Sequence, residues 1–167
     1  LSVSSLAGNL NTVTIADAST VTLSGTNLLN NLGLAVGTSQ TLIVNGLTGN
    51  LNTVTLSGTG STVRLDGTNY VNNLGLTVGT FQTLTLNGTW TNPIGSTIAA
   101  TGATLNLGNS TNVWSNAGTI SATNSTTNLG GAFTTAGLGT FTRSGGTVNL
   151  TGTLNNASNT LTFNATT

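Results

Sequence analysis

Thr20-Val21-Thr22-Leu23-Ser24-Gly25 is answered 21 residues later by Thr41-Leu42-Ile43-Val44-Asn45-Gly46, then by Thr62-Val63-Arg64-Leu65-Asp66-Gly67 and Thr83-Leu84-Thr85-Leu86-Asn87-Gly88. Three columns run through these segments and continue beyond them. The apolar pairs are Val21/Leu23, Leu42/Val44, Val63/Leu65, Leu84/Leu86, Leu105/Leu107, Thr127/Leu129 and Val148/Leu150, each 21 residues from the last except for one step of 22. Two positions after each pair stand Gly25, Gly46, Gly67, Gly88, Asn109, Gly131 and Gly152, residue types that tolerate positive φ and therefore mark a turn. One position before each pair stands Thr20, Thr41, Thr62, Thr83, Thr104, Thr126 and Thr147, without exception.

Within each segment apolar and polar residues alternate, which is the period of a half-buried strand and not of a helix. Thr, Val and Ile suit strands, and the frequent Gly and Asn erode helices. A second strand is legible around Val13/Ile15, Leu32/Leu34, Val54/Leu56, Leu74/Leu76, Ile98, Ile120, Phe141 and Leu161/Phe163. A third, shorter element carries Asn30-Asn31 and Asn72-Asn73, echoed by Asn9, Asn11, Asn50, Asn52, Asn116 and Asn156. Short strands joined by Gly/Asn corners, repeating every 20–22 residues, describe an all-β chain wound as a parallel β-helix, or β-solenoid, of about eight rungs. Each residue then lies over its equivalent at a strand spacing of about 4.8 Å, for a rod about 38 Å long. The apolar columns form a continuous core, each buried side chain contributing about 1.5–3 kcal/mol. Corner Asn side chains are placed to stack as amide ladders. An antiparallel sandwich also offers short strands and turns, but does not require equivalent positions to recur at 21 residues.

A longer repeat is superimposed. Gly8-Asn9-Leu10-Asn11-Thr12-Val13-Thr14 recurs as Gly49-Asn50-Leu51-Asn52-Thr53-Val54-Thr55, and about two-thirds of paired positions match as far as Gly88, so residues 8–88 are a tandem duplication of about 42 residues. Residues 89–167 keep the shorter period in degenerate form, and residues 1–167 read as one solenoid.

Composition removes most chemistries. Thr, Asn, Gly and Ser supply 100 of 167 residues, against two basic and two acidic side chains, with no His, Cys or Met. Imidazole bases, thiol nucleophiles, disulfides and the usual metal ligands are absent, so no cofactor or metal is expected. Asp17, Arg64, Asp66 and Arg143 are too few for a nucleic-acid groove. No apolar run reaches the length of a membrane-spanning helix. Asp66 falls in the turn column of Ser24, Asn45 and Asn87, with Arg64 two residues away, and Arg143 is expected on a solvated corner. The absent catalytic groups argue against an enzyme.

The second half contains Trp90-Thr91-Asn92, Trp114-Ser115-Asn116-Ala117-Gly118-Thr119-Ile120-Ser121-Ala122, Asn128-Leu129-Gly130-Gly131 and Gly139-Thr140-Phe141-Thr142-Arg143-Ser144-Gly145-Gly146-Thr147-Val148-Asn149-Leu150-Thr151-Gly152-Thr153-Leu154. This resembles the degenerate repeats of large secreted bacterial surface proteins of the filamentous-haemagglutinin and autotransporter-passenger type. The resemblance implies a right-handed parallel β-helix, export to the cell surface, and a role in adhesion, aggregation or surface structure.

Calcium-binding β-rolls need an Asp after their Gly pairs, and Gly130-Gly131 and Gly145-Gly146 have none. An ice-binding face needs a second rank of Thr, but positions 22, 43, 64, 85, 106, 128 and 149 read Thr22, Ile43, Arg64, Thr85, Asn106, Asn128 and Asn149. Tyr70, Phe81, Trp90 and Trp114 suit either a glycan platform or the wide corners of the core; core filling is favoured, and Trp90 and Trp114 sit at comparable places in successive units. Both ends of the sequence are in strand pattern without a capping helix, which suggests head-to-tail self-stacking into a filament or continuation of a longer solenoid. The expectation is a non-catalytic extracellular structural or adhesive solenoid, with a glycan- or ice-binding module as the alternative.

Overall fold

The computed structural model describes residues 1–15, 19–30 and 33–160; Asp17, Asn31, Leu32, Leu161 and Phe163, named above, lie outside the described residues. Each turn of chain lays one strand on each of two long parallel sheets. The first sheet runs Ser2–Asn9, Thr20–Asn30, Thr41–Leu51, Thr62–Asn72, Thr83–Asn92, Thr104–Leu107, Thr126–Leu129 and Thr147–Leu150. The second runs Thr12–Ile15, Gly33–Val36, Val54–Leu56, Leu76–Val78, Thr97–Thr101, Thr119–Thr123 and Thr140–Ser144. The result is a parallel β-solenoid of about seven turns, close to the eight rungs read from the period.

Register follows the columns. Leu23, Val44, Leu65, Leu86, Leu107, Leu129 and Leu150 stand over one another in unbroken succession. Val21, Leu42, Val63, Leu84, Leu105, Thr127 and Val148 do the same. Leu42, Val44, Val63, Leu65, Leu84, Leu86, Leu105 and Leu107 are fully buried, and Leu23 and Leu129 nearly so. Val21 and Val148 are half-buried. Leu150, read as core from the sequence, is 57 % exposed, because among the described residues no strand stacks beyond Thr147–Leu150.

On the second sheet the apolar column is Val13, Leu34, Val54, Leu76, Ile98, Ile120 and Phe141, with Ile15, Val36 and Leu56 alongside. The sequence reading had placed Leu74/Leu76 here, but the strand uses Leu76/Val78 and leaves Leu74 exposed. A slip of two residues keeps the same face inward, so alternation alone cannot choose between Leu74, Leu76 and Val78. The lengths of the flanking corners decide.

The third wall is built in two ways. In the first half the 11-residue strands Thr20–Asn30, Thr41–Leu51 and Thr62–Asn72 pass a register shift near Gly25, Gly46 and Gly67 and continue onto it. In the second half it is made of separate strands: Trp114–Asn116 on Thr83–Asn92, and Ala132–Thr134 on Thr153–Asn155. A short helix, Thr135–Leu138, capped by the Thr134 hydroxyl accepting from the Gly137 amide, links this wall to the second sheet.

Candidate functional site

The outer face of the first sheet carries the Thr column. Thr20, Thr41, Thr62, Thr83, Thr104, Thr126 and Thr147 are in register from end to end, all exposed or half-buried. The rank two residues along stacks as Thr22, Ile43, Arg64, Thr85, Asn106, Asn128 and Asn149. Its last members form an amide ladder: Asn149 Nδ2 donates to Asn128 Oδ1 at 2.8 Å, Asn128 Nδ2 to Asn106 Oδ1 at 2.7 Å, and Asn106 Nδ2 to Thr85 Oγ1 at 2.9 Å. The Arg64 guanidinium meets the Asp66 carboxylate at 3.2 Å, a partly exposed pair worth under about 1 kcal/mol.

A second ladder is buried. Asn72 Nδ2 donates to Asn92 Oδ1 at 2.7 Å, Asn92 Nδ2 to Asn116 Oδ1 at 2.6 Å, and Asn116 Nδ2 to the Leu138 and Thr140 carbonyls. Asn72 Oδ1 accepts from the Gly75 amide, so the ladder is satisfied from end to end. Beside it runs an aromatic column, in which Trp90 and Trp114 hold the equivalent core places expected of them and Tyr70 and Phe133 extend the stack. Tyr70 stands over Trp90, Trp90 over Trp114 with ring centroids 4.9 Å apart, and Trp114 over Phe133 at 4.6 Å. Tyr70, Trp90 and Trp114 are buried as expected of core fillers, but Phe81 is not: it stands on the solvent side of a corner, 73 % exposed. Tyr70 Oη donates to the Asn87 carbonyl, and Trp114 Nε1 to that of Gly130. Burial, with the nearby Asp66 carboxylate adding to it, holds the Tyr70 phenol well above its ordinary pKa.

The Gly column is required by close approach more than by dihedral angle. A Cβ on Gly25, Gly46, Gly67, Gly88 or Gly152 would fall on a backbone carbonyl of the preceding rung. Only Gly46, Gly88 and Gly131 of that column have positive φ. Asn109 fits because its Oδ1 accepts from the Gly88 amide. The left-handed column lies at another corner: Ser39, Gly60, Phe81, Gly102, Asn124 and Gly145, with φ between 47° and 75°. Gln40 and Gln82 brace that corner, each Oε1 accepting from the Gly37 or Gly79 amide at 2.6 Å.

Among the described residues, Leu129, Phe133, Phe141, Val148, Leu150 and Leu154 line a cavity of about 580 Å³. Arg143 also lines it. The sequence placed Arg143 on a solvated corner; it instead occupies the inward column above Val78, Ala100 and Ala122.

Among the described residues no three His, Cys, Asp or Glu side chains gather to hold a metal ion, and no helix is long and apolar enough to cross a membrane. Stacked columns and ladders, running the length of the described rod, define a parallel β-solenoid repeat protein. Comparison with protein-family models, curated proteins and solved structures gave no match.

Proposed function

We propose that the chain is a non-catalytic structural solenoid, a segment or subunit of an extracellular bacterial surface fibre or adhesin, whose partner is a further β-solenoid rung, of its own chain or of a second copy. The observation that carries this reading is the unbroken register from Thr20 to Thr147, in which hydroxyl, amide and apolar columns all run along one axis. Outward amides bond to the neighbouring rung, as in Asn149–Asn128–Asn106 and Asn45–Ser24. Such a molecule resists bending and stretching, because axial load is shared by many backbone hydrogen bonds at once. Among the described residues no strand stacks on Thr147–Leu150, and it is over Val148 and Leu150 that a further rung would seat.

Electron microscopy and sedimentation of the purified chain test the reading. Rods that lengthen with concentration, with β-rich circular dichroism, are the expected result, and substituting Val148 and Leu150 together by Lys should shorten them. A monodisperse, highly soluble monomer at every concentration would overturn it.

A further inference from the structure

Phe81 is the exception in the left-handed corner column. The other members are Gly, Asn or Ser, which accept positive φ readily or are small enough to bear it, whereas Phe81 holds φ 59° with its ring 73 % exposed. Its neighbours along the axis are Gly60, whose amide donates to the Phe81 carbonyl, and Gly102, whose carbonyl accepts from the Phe81 amide. Neither has a side chain to cover the ring. The duplication supplies an internal reference. Gly37-Thr38-Ser39-Gln40-Thr41-Leu42 becomes Gly79-Thr80-Phe81-Gln82-Thr83-Leu84, so Ser has been exchanged for Phe within otherwise identical flanks. The Gln bracket is the same in both copies, and Gln82 Nε2 further ties the corner to the Leu56 and Gly58 carbonyls. The backbone therefore needs no aromatic here, and a strained residue presenting an uncovered ring on a braced corner asks for a functional reason.

We infer that Phe81 is the anchor of a binding surface for a neutral saccharide, its ring face taking a sugar ring and the exposed hydroxyls of Thr59, Thr80 and Thr101 engaging the sugar's own. Those threonines immediately precede the left-handed residue in three successive rungs and are all exposed. Residues 37–41, 58–62, 79–83 and 101–104 contain no charge, which suits an uncharged polyol and offers nothing to an acidic one. Size separates a sugar from a protein partner. One Phe side chain covers roughly 150–250 Å², while a specific protein interface needs about 800 Å² on each side. The backbone neighbours of Phe81 in the adjoining rungs are Gly60 and Gly102, and the corner residues 58–61 and 101–102 are Gly, Thr and Ser with no apolar side chain among them.

Titration calorimetry of the whole chain with cellohexaose, maltohexaose and chitohexaose, and with polygalacturonate as the charged contrast, tests this. At least one neutral hexaose should bind saturably, with affinity unchanged between about 50 and 500 mM salt, since no ion pair contributes. Phe81→Ser, which installs the residue of the first copy, should weaken that binding by roughly tenfold or more, the loss of one aromatic stack, without lowering the unfolding midpoint. Phe81→Trp should bind at least as tightly as the parent. Three results would overturn the inference: no neutral hexaose binds, Phe81→Ser binds as well as the parent, or only polygalacturonate binds and does so in a salt-sensitive way.

Discussion

From Thr20 to Asn72 and from Thr83 to Asn155 the same first sheet is built at nearly the same pitch, yet the wall that follows it is filled differently. In the earlier region the strand turns the corner unbroken, and Leu28, Leu47 and Leu51 fill the wall. In the later region Thr83–Asn92 still turns the corner unbroken, but the strands after it stop at Leu107 and Leu129 and restart at Trp114 and Ala132, and the wall is the Trp90–Trp114–Phe133 stack beside Asn92 and Asn116. The difference shows which part of a rung is constrained. Register on the first sheet admits almost no variation, because one slip turns every side chain to the wrong face. The corner tolerates insertions as long as its side chains are replaced as a stack. Between Leu107 and Trp114 the chain makes a turn held by Asn112 donating to Asn109, and two stacked indoles occupy the wall there.

The most damaging way to test that contrast is Trp114→Ala. Removing a fully buried indole from a close-packed wall costs about 3–5 kcal/mol, and Trp114 is sandwiched between Trp90 and Phe133. Urea unfolding should report that loss, and the near-ultraviolet signal of the stacked indoles should vanish. An intact near-ultraviolet spectrum would mean that the rings do not stack.

The two amide ladders make a sharper comparison, because their hydrogen bonds are alike and their burial is not. Asn92→Leu strands the Asn72 amide and the Asn116 carbonyl without water, at about 1–3 kcal/mol for each buried group. Asn128→Leu breaks equivalent bonds on the outer face, where water replaces them, and should cost under about 1 kcal/mol. Equal losses for the two variants would show that burial is not what gives the inner ladder its value.

The sequence made the first sheet legible because its period is constant and both inward and outward columns obey it. It misled where phase is degenerate or spacing varies. Leu74 and Leu76 are equally in phase, so alternation could not fix the second sheet. Tyr70, Trp90, Trp114 and Phe133 are separated by 20, 24 and 19 residues, so no fixed period revealed that they stack. The glycines were rightly seen as a column but for an incomplete reason, since Gly25 and Gly67 are needed to admit a neighbouring carbonyl and not to reach a left-handed φ. The left-handed column was hidden by its mixture of Ser, Gly, Phe and Asn, and Phe81 within it was read only as one aromatic of four. Leu150 keeps its column yet is exposed, and Arg143 stands in an inward column, because a period says nothing about the rung on which stacking stops among the described residues.

A pH series probes the junction of the two regions, where Tyr70 begins the aromatic wall. The chain has no His, Cys or Lys and one Tyr, so this phenol is the sole side chain titrating between the carboxylates and Arg. Burial favours its neutral form, so its folded pKa lies above the unfolded value near 10. Its contribution is fully present below pH 10 and is lost as pH rises from there toward the folded pKa, because the unfolded chain releases the proton first. Stability should be level from about pH 6 to 9 and then fall by about 1.4 kcal/mol per pH unit. Tyr70→Phe should remove the slope, though it also loses the bond to Asn87. A slope that persists in that variant would place the titrating group elsewhere.

One expected effect is a gain. Thr127 stands in the column otherwise made of Val21, Leu42, Val63, Leu84, Leu105 and Val148, fully buried, and its Oγ1 has no hydrogen-bond partner. In the regular first half every equivalent position is aliphatic, so Thr127 is a local cost of the degenerate half and not a feature of the fold. Val has nearly the shape of Thr, so Thr127→Val removes an unsatisfied hydroxyl without opening a cavity and should stabilise the chain by about 1 kcal/mol. Thermal unfolding of the single variant decides the matter. A destabilised Thr127→Val would mean that the hydroxyl is satisfied in solution, and that this irregular rung is held by a polar contact the regular rungs do without.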